Sequence, residues 1–403
     1  SMDYELLLNE IINIGKEMIK SGAETNRVED SMYRMLESYD IGQCSVFAIQ
    51  SNIQVTIRSK DGTFITQVRR VHRTGFNYDR LDYLNNLSRY ICRNQPSVAE
   101  IQEKYDEVMS RKKQPAYIEY LASLMGGVGF GVYFGCDLED TLVGIVVTVL
   151  VLVWFGRRLK RKEHNLVAYN LIVSFVATAG IFGAYHLGFG NHPDRTCLGL
   201  SMVLISGLCV ANGLRDLVSR AYLSGFLNII HAFVGAVGIA CGAELAMILF
   251  RGEMYEMCLT PSVPVQLISC GIASMGFAWL FKAADKQAFY VGIGGSMTWG
   301  AYLIAQYFHG DTFICTIVAA AVVAAYAFIM SRYHRAPATI FLTTSIMPVV
   351  PGASLFYMMY GIEQGDYVMA NQQAITLATT CLAIAFGFLL VDIASQYVHK
   401  QKE

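Results

Sequence analysis

From Pro115 onward the sequence falls into apolar runs of about 20 residues, and that spacing leaves few folds open. A helix of about 20 residues crosses the roughly 30 Å of hydrocarbon in a bilayer. Ten such runs occur, at roughly 115–134, 139–156, 166–189, 195–214, 222–250, 264–282, 288–308, 312–331, 337–360 and 370–394. Charged residues are only 16% of the chain, against about 25% in soluble domains, so much of it must avoid water. A helical polytopic membrane protein is expected, with lipid as its surroundings.

Charge sets the orientation. If residues 1–114 lie in the cytoplasm, five segments lie on that side, including the C-terminal tail. Those segments hold thirteen Lys and Arg residues, including Arg157–Lys162, Arg215, Arg220, Lys282 and Arg332, while the opposite loops hold only Arg195 and Arg251. Cytoplasmic loops carry the basic excess. Both termini are therefore expected in the cytoplasm, with the protein in the plasma (inner) membrane. Ser1-Met2 reads as a remnant ahead of a natural start. Glu5, Glu10, Lys16 and Glu17 argue against a cleavable signal peptide there.

Residues 1–114 hold 16 of the 31 Lys and Arg and read as a cytosolic α+β domain. Leu7, Ile11, Ile14, Met18 and Ile19 recur at helical spacing, as do Val28, Met32, Met35 and Leu36. Two alternating stretches, SVFAIQSNIQVTIRS and TFITQVRRV, flank the turn pair Asp61-Gly62 and suggest a small sheet with a hairpin. Two helices follow, the first capped by Asp79 and the second opened by a capping box of Ser97 and Glu100. Near-neutral net charge (−1) gives no reason to expect nucleic acid. Ten scattered cysteines without a CxxC pair, and no nucleotide-binding loop, indicate neither metal nor cofactor.

Ten spans divide into five (115–250) and five (251–403). Five is odd, so the second set would run inverted relative to the first. Inverted repeats build many secondary transporters, with interrupted helices lining a midplane site. The ninth run, TIFLTTSIMPVVPGAS, has Pro348, Pro351 and Gly352 at its centre. Its counterpart, the fourth run, has Ser206-Gly207 in the equivalent place. Backbone freed at that depth is tolerated only against protein or a watery cavity, so a substrate site is expected there. Close packing or dimerisation is the reading of the ridge Gly127, Gly131 and Gly135, which leaves a homo-oligomer open.

Three stretches resemble the threonine/serine exporter family. SGAETNRVEDSMYRML (21–36) resembles its SGAxTxRVExxM stretch, SGLCVANGLRDLVSRAYLSG (206–225) its PGxxxxNAIRDLxxGxYxSG stretch, and MPVVPGAS (347–354) its PLVPG stretch. Ser206, Gly213 and Arg220 depart from the pattern, standing for proline, alanine and glycine. The resemblance implies a fused exporter of threonine and serine; split relatives export succinate.

The residues themselves offer Ser206, Gly207, Asn212, Pro348, Pro351 and Gly352 for substrate. Asn212 can both donate and accept, which suits an amino acid. Arg215-Asp216 suits a gate or a topology-setting pair. Asn228, His231 and Glu244 are costly in hydrocarbon, and a protonatable Glu244 suits proton coupling. A dicarboxylate exporter would want cations at midplane, where the sequence puts none. A membrane enzyme or sensor would work instead through Glu24, Thr25, Arg27, Glu29 and Asp30.

Overall fold

The computed structural model describes residues 2–72, 75–205, 207–253 and 261–400. The fold is mostly helical, and contacts divide it into two compact units. The first comprises residues 1–114 with the short segments 281–284 and 331–340; the second holds the rest.

In the first unit, α1 (Tyr4–Lys20) starts at Asp3, whose carboxylate accepts from the Glu5 and Leu6 amides at 3.1 Å. Its apolar stripe, with Leu7, Leu8, Ile11 and Ile14 fully buried, meets Val28, Met32 and Met35 of α2 (Thr25–Glu37). The helices cross at Gly15, where a β-carbon would run into the Met32 thioether. The stretch 45–59 is not one strand. It folds back on itself as β1 (Gln43–Ile49) and β2 (Asn52–Arg58), and β3 (Phe64–Arg70) follows across the Asp61-Gly62 turn. All pairing is antiparallel in the order β1-β2-β3, with Ile53, Val55 and Ile57 facing the helices.

Two caps differ from expectation. α3 (Tyr78–Asn94) is capped by Asn77, whose side chain accepts from the Arg80 amide; Asp79 sits in the first turn and pairs with Arg111 at 3.0 Å. At α4 (Val98–Met109) only half the capping box forms. Ser97 accepts from the Glu100 amide at 3.3 Å, while the Glu100 carboxylate takes the Tyr90 hydroxyl instead.

The second unit begins with α5 (Ala116–Ser123) and α6 (Gly129–Phe134), joined by π-helical Leu124–Val128. Then come α7 (Leu138–Val147), π-helical Thr148–Phe155 and α8 (Gly156–Lys162), followed by α9 (Leu166–His186), α10 (Pro193–Ser201), α11 (Gly207–Val218) and α12 (Tyr222–Phe250). After them run α13 (Val263–Leu280), α14 (Asp285–His309), α15 (Thr312–His334), α16 (Ala338–Ser345), α17 (Gly352–Gln364) and α18 (Tyr367–Lys400). Among the described residues, six helices are long and apolar enough to cross a membrane, and α16 with α17 makes a seventh if the bent pair is one span. The runs at 115–134, 195–214 and 288–308 do not pass that test.

Small residues set the packing. The glycine ridge of the first run packs within the chain: a β-carbon on Gly199 of α10 would lie 2.5 Å from the Gly131 α-carbon. Gly135 closes α6 in the left-handed region at φ 108°. Gly213 of α11 and Gly225 of α12 likewise approach each other's carbonyls, at 2.7 and 2.5 Å from the would-be β-carbons. Backbone cannot rotate aside as a side chain does, so Gly199→Val should force α6 and α10 apart. The folded peak in size-exclusion chromatography should then be lost; a wild-type elution profile would show that the two helices do not need this contact.

Helix contacts recur between the two halves of the second unit. α11 packs on α12 and α17 on α18, while α11 meets α18 and α12 meets α17. α12 lies along α9, and Gly387 of α18 comes against Ala320 and Ile317 of α15. α5 and α6 pack on α13, with Gly276 against Gly126.

Candidate functional site

Two interrupted helices meet in the second unit. α10 ends at Ser201, and α11 starts at Gly207 after a turn in which the Leu204 and Ile205 amides both bond the Ser201 carbonyl at 2.9 Å. α16 ends at Ser345, and a single 3-10 turn, Met347–Val349, leads to α17. Pro348 and Pro351 supply no amide hydrogen, so the helix cannot run through them, and the two halves bend by 54°. Residues 341–352 are buried throughout, including the polar run Thr343, Thr344 and Ser345. A β-carbon on Gly352 would meet the Met202 sulfur at 2.9 Å and Ile205 at 3.4 Å. The two breaks, 150 positions apart between Met202 and Gly352, thus touch. Ser206 lies outside the described residues.

The other expected residues divide. Asn212 is half-buried on α11 and has no hydrogen-bond partner among the described residues. Further along α11, the Arg215 guanidinium lies 3.6 Å from the Asp392 carboxylate and over the Phe388 ring of α18. Asp216 accepts from the Asn228 side chain at 3.1 Å. Three expected residues, Arg215, Asp216 and Asn228, therefore join at one end of α11. His231 sits on the exposed flank of α12, apart from them.

Glu244 lies near the C-terminal end of α12, where its Oε1 accepts from the Gln364 side chain of α17. Next to Gln364, Glu363 accepts from the Cys241 thiol of α12 at 2.9 Å. Both carboxylates keep a second oxygen, Oε2, buried and without a hydrogen bond. Sequence reasoning missed Glu363, which falls beyond the expected span 337–360. A second acid close in sequence to a broken helix, with Glu244 unpaired in the other half, was the available signal.

A cavity of about 440 Å³ lies beside this region, lined by Leu198 of α10, Tyr357 of α17 and charged groups including Asp194, Arg195, Arg251 and Glu253. Leu198 is four residues before Met202 and Tyr357 five after Gly352, so the cavity opens roughly one helical turn from the breaks. Beside it, Asp137, Asp140 and His192 bring possible metal-ligand atoms within 4.8 Å of one another. The donor set fits a closed clasp better than an ion. Buried Asp140 already accepts from the Asn191 and His192 amides at 2.8 and 2.9 Å, and from His192 Nδ1 at 2.8 Å.

The signature 21–36 belongs to the first unit and mostly builds it. Glu29 accepts from the Ala48 amide at 2.7 Å and pins β1 to α2. Glu24, Arg27 and Asp30 instead face a separate cavity of that unit.

Residues 10–250 match the family described as "Putative threonine/serine exporter", and residues 266–394 match that described as "Threonine/Serine exporter, ThrE". A "Probable threonine/serine exporter" of Mycobacterium tuberculosis (strain ATCC 25618 / H37Rv) is 25% identical over 402 residues, covering 95% of this chain and 75% of the relative. A "Threonine/serine exporter" of Corynebacterium glutamicum is 22% identical over 408 residues, covering 95% of this chain and 81% of the relative. No solved structure matches the chain. With six helices long and apolar enough to cross a membrane and the family's match across both halves, the chain is a multi-pass membrane protein that belongs to the threonine/serine exporter family.

Proposed function

We propose that the chain is a secondary exporter of threonine and serine, driven by the proton gradient across the plasma membrane. It would work as ten spans in a 5+5 inverted repeat, residues 115–250 and 251–403, with residues 1–114 and the C-terminus in the cytoplasm. The observation that carries the reading is the meeting of two interrupted helices, one from each half, with Gly352 against Met202 and Ile205. The paired contacts support it too: α11–α18 has its counterpart in α12–α17, as a pseudo-twofold relation between the halves requires.

Substrate would bind at the breaks, against Gly207, Asn212 and backbone around Pro348, Pro351 and Gly352. A threonine or serine zwitterion needs acceptors for its ammonium and donors for its carboxylate. Interrupted helices expose both kinds of backbone group, and the neighbouring cavity carries charges of both signs. A dicarboxylate would want a surplus of cations, which neither the breaks nor that cavity supplies. Arg215–Asp392 ties α11 to α18 and would act as a gate that must open in one state. Glu244 and Glu363 would carry the coupling proton.

Counterflow in proteoliposomes tests substrate identity. Labelled threonine and serine should accumulate against unlabelled threonine, and succinate should not. Exchange of succinate alone would overturn the amino-acid reading.

A further inference from the structure

The first unit holds a cavity of about 440 Å³ that the transport reading does not use. That volume is in the range of small-molecule sites. Its walls are stripes of two helices. Asn85, Ser88, Arg89 and Arg93 recur at one face of α3, and Arg27, Asp30, Ser31 and Arg34 at one face of α2. Ala336, Pro337 and Thr339 complete it.

Charge in this cavity does not balance. Four arginines line it against two acids, Glu24 and Asp30. The acids are already matched: Arg34 lies 3.1 Å from Asp30, and Arg27 lies 3.8 Å from Glu24. Arg89 and Arg93 make no ion pair among the described residues. They stand exposed on successive turns of α3, with two positive charges uncompensated. A second observation points the same way. The Asn85 side-chain amide nitrogen is buried and bonds to no acceptor. Leaving a buried donor unmet costs free energy that a ligand oxygen would recover.

We propose that this cavity binds a soluble phosphorylated metabolite, with Arg89 and Arg93 holding the phosphate and Asn85 donating to one of its oxygens. Phosphate suits it because guanidinium groups grip planar or tetrahedral oxyanions through paired N–H donors. Ser31 and Ser88 add hydroxyl donors at the same walls. The segment 336–339 runs on in the chain as α16, which ends at the Pro348–Gly352 interruption. A ligand that fixes this segment would report metabolic state to the transport step. That consequence rests on the exporter reading; the binding itself does not.

The test uses the full chain in detergent, titrated calorimetrically with inorganic pyrophosphate and, separately, with AMP. One saturable site is expected for at least one of the two probes. Arg89→Gln and Arg93→Gln should each weaken it at least about tenfold, the loss of a charge-assisted hydrogen bond. Both side chains are exposed, so the melting temperature should not change. Asn85→Leu should also weaken binding, at constant charge. Absence of saturable binding with both probes, or wild-type binding in the Arg89→Gln/Arg93→Gln double variant, would overturn the site. Because the readout is binding, failure here leaves the exporter reading intact, and failed threonine counterflow leaves this site intact.

Discussion

Gly352→Val should abolish threonine and serine binding in a protein that still inserts and purifies as a folded species. The nearest atoms to the added β-carbon are the thioether end of Met202, at 2.9 Å for sulfur and 3.1 Å for the terminal methyl, and Ile205 at 3.4 Å. Met side chains have several rotatable bonds and can move aside. Overpacking of this kind costs about 1–3 kcal/mol, which a bundle of long packed helices withstands. The functional cost is different in kind. Gly352 opens α17 with no side chain between its backbone and the facing break, and Val puts an isopropyl group there. Pro351→Ala, which restores an amide hydrogen and some helix continuity, should weaken transport less. Adding Met202→Ala to Gly352→Val separates two causes. If steric pressure on Met202 is all that Val does, the smaller residue restores binding; if Val occupies the substrate's place, binding stays lost. Scintillation proximity binding of labelled threonine reads all four proteins. Wild-type affinity in folded Gly352→Val would remove the breaks from the substrate site.

The membrane character was legible because a span is a local pattern: about 20 apolar residues need no knowledge of the partner. The α16–α17 break was legible for the same reason, since two prolines in the middle of one apolar run remove two helix hydrogen bonds there. The β1–β2 turn was not. Gln50 and Ser51 make that two-residue connection without the glycine or asparagine that tight hairpins favour, so 45–59 read as one strand. Asn77 and Asp79 are both competent caps two residues apart, and a local pattern does not choose between them. The glycine ridge showed that something approaches closely, but Gly199 as the neighbour is a tertiary fact. Site residues followed the same division. Asn212 and Arg215 stood out as polar residues in an apolar run, whereas the partners of Arg215 and Glu244 lie more than a hundred positions away.

Glu363→Gln should abolish export driven by a pH gradient while leaving threonine–threonine exchange largely intact, and Glu244→Gln should do the same. The two acids stand on α12 and α17, crosslinked by Gln364 to Glu244 and by Cys241 to Glu363. No Lys or Arg appears among those bonds. The Cys241 and Gln364 bonds hold the two acids at the same α12–α17 contact, which is where the proposed coupling proton would be carried. Each acid also keeps a second oxygen that is buried and makes no hydrogen bond. In the proposed repeat α12 and α17 belong to opposite halves, so the two acids part if those helices separate. Gln keeps the shape and the hydrogen-bonding capacity but never ionises, so substrate exchange survives where net export does not. The double variant should be no worse than either single, since both remove one shared function. Transport under an imposed pH step, set beside exchange at uniform pH, separates the two outcomes in the same vesicles. Full gradient-driven export by Glu363→Gln would dissolve the pair and return attention to Asp216 or His231; loss of exchange as well would mark the acids as part of the substrate path.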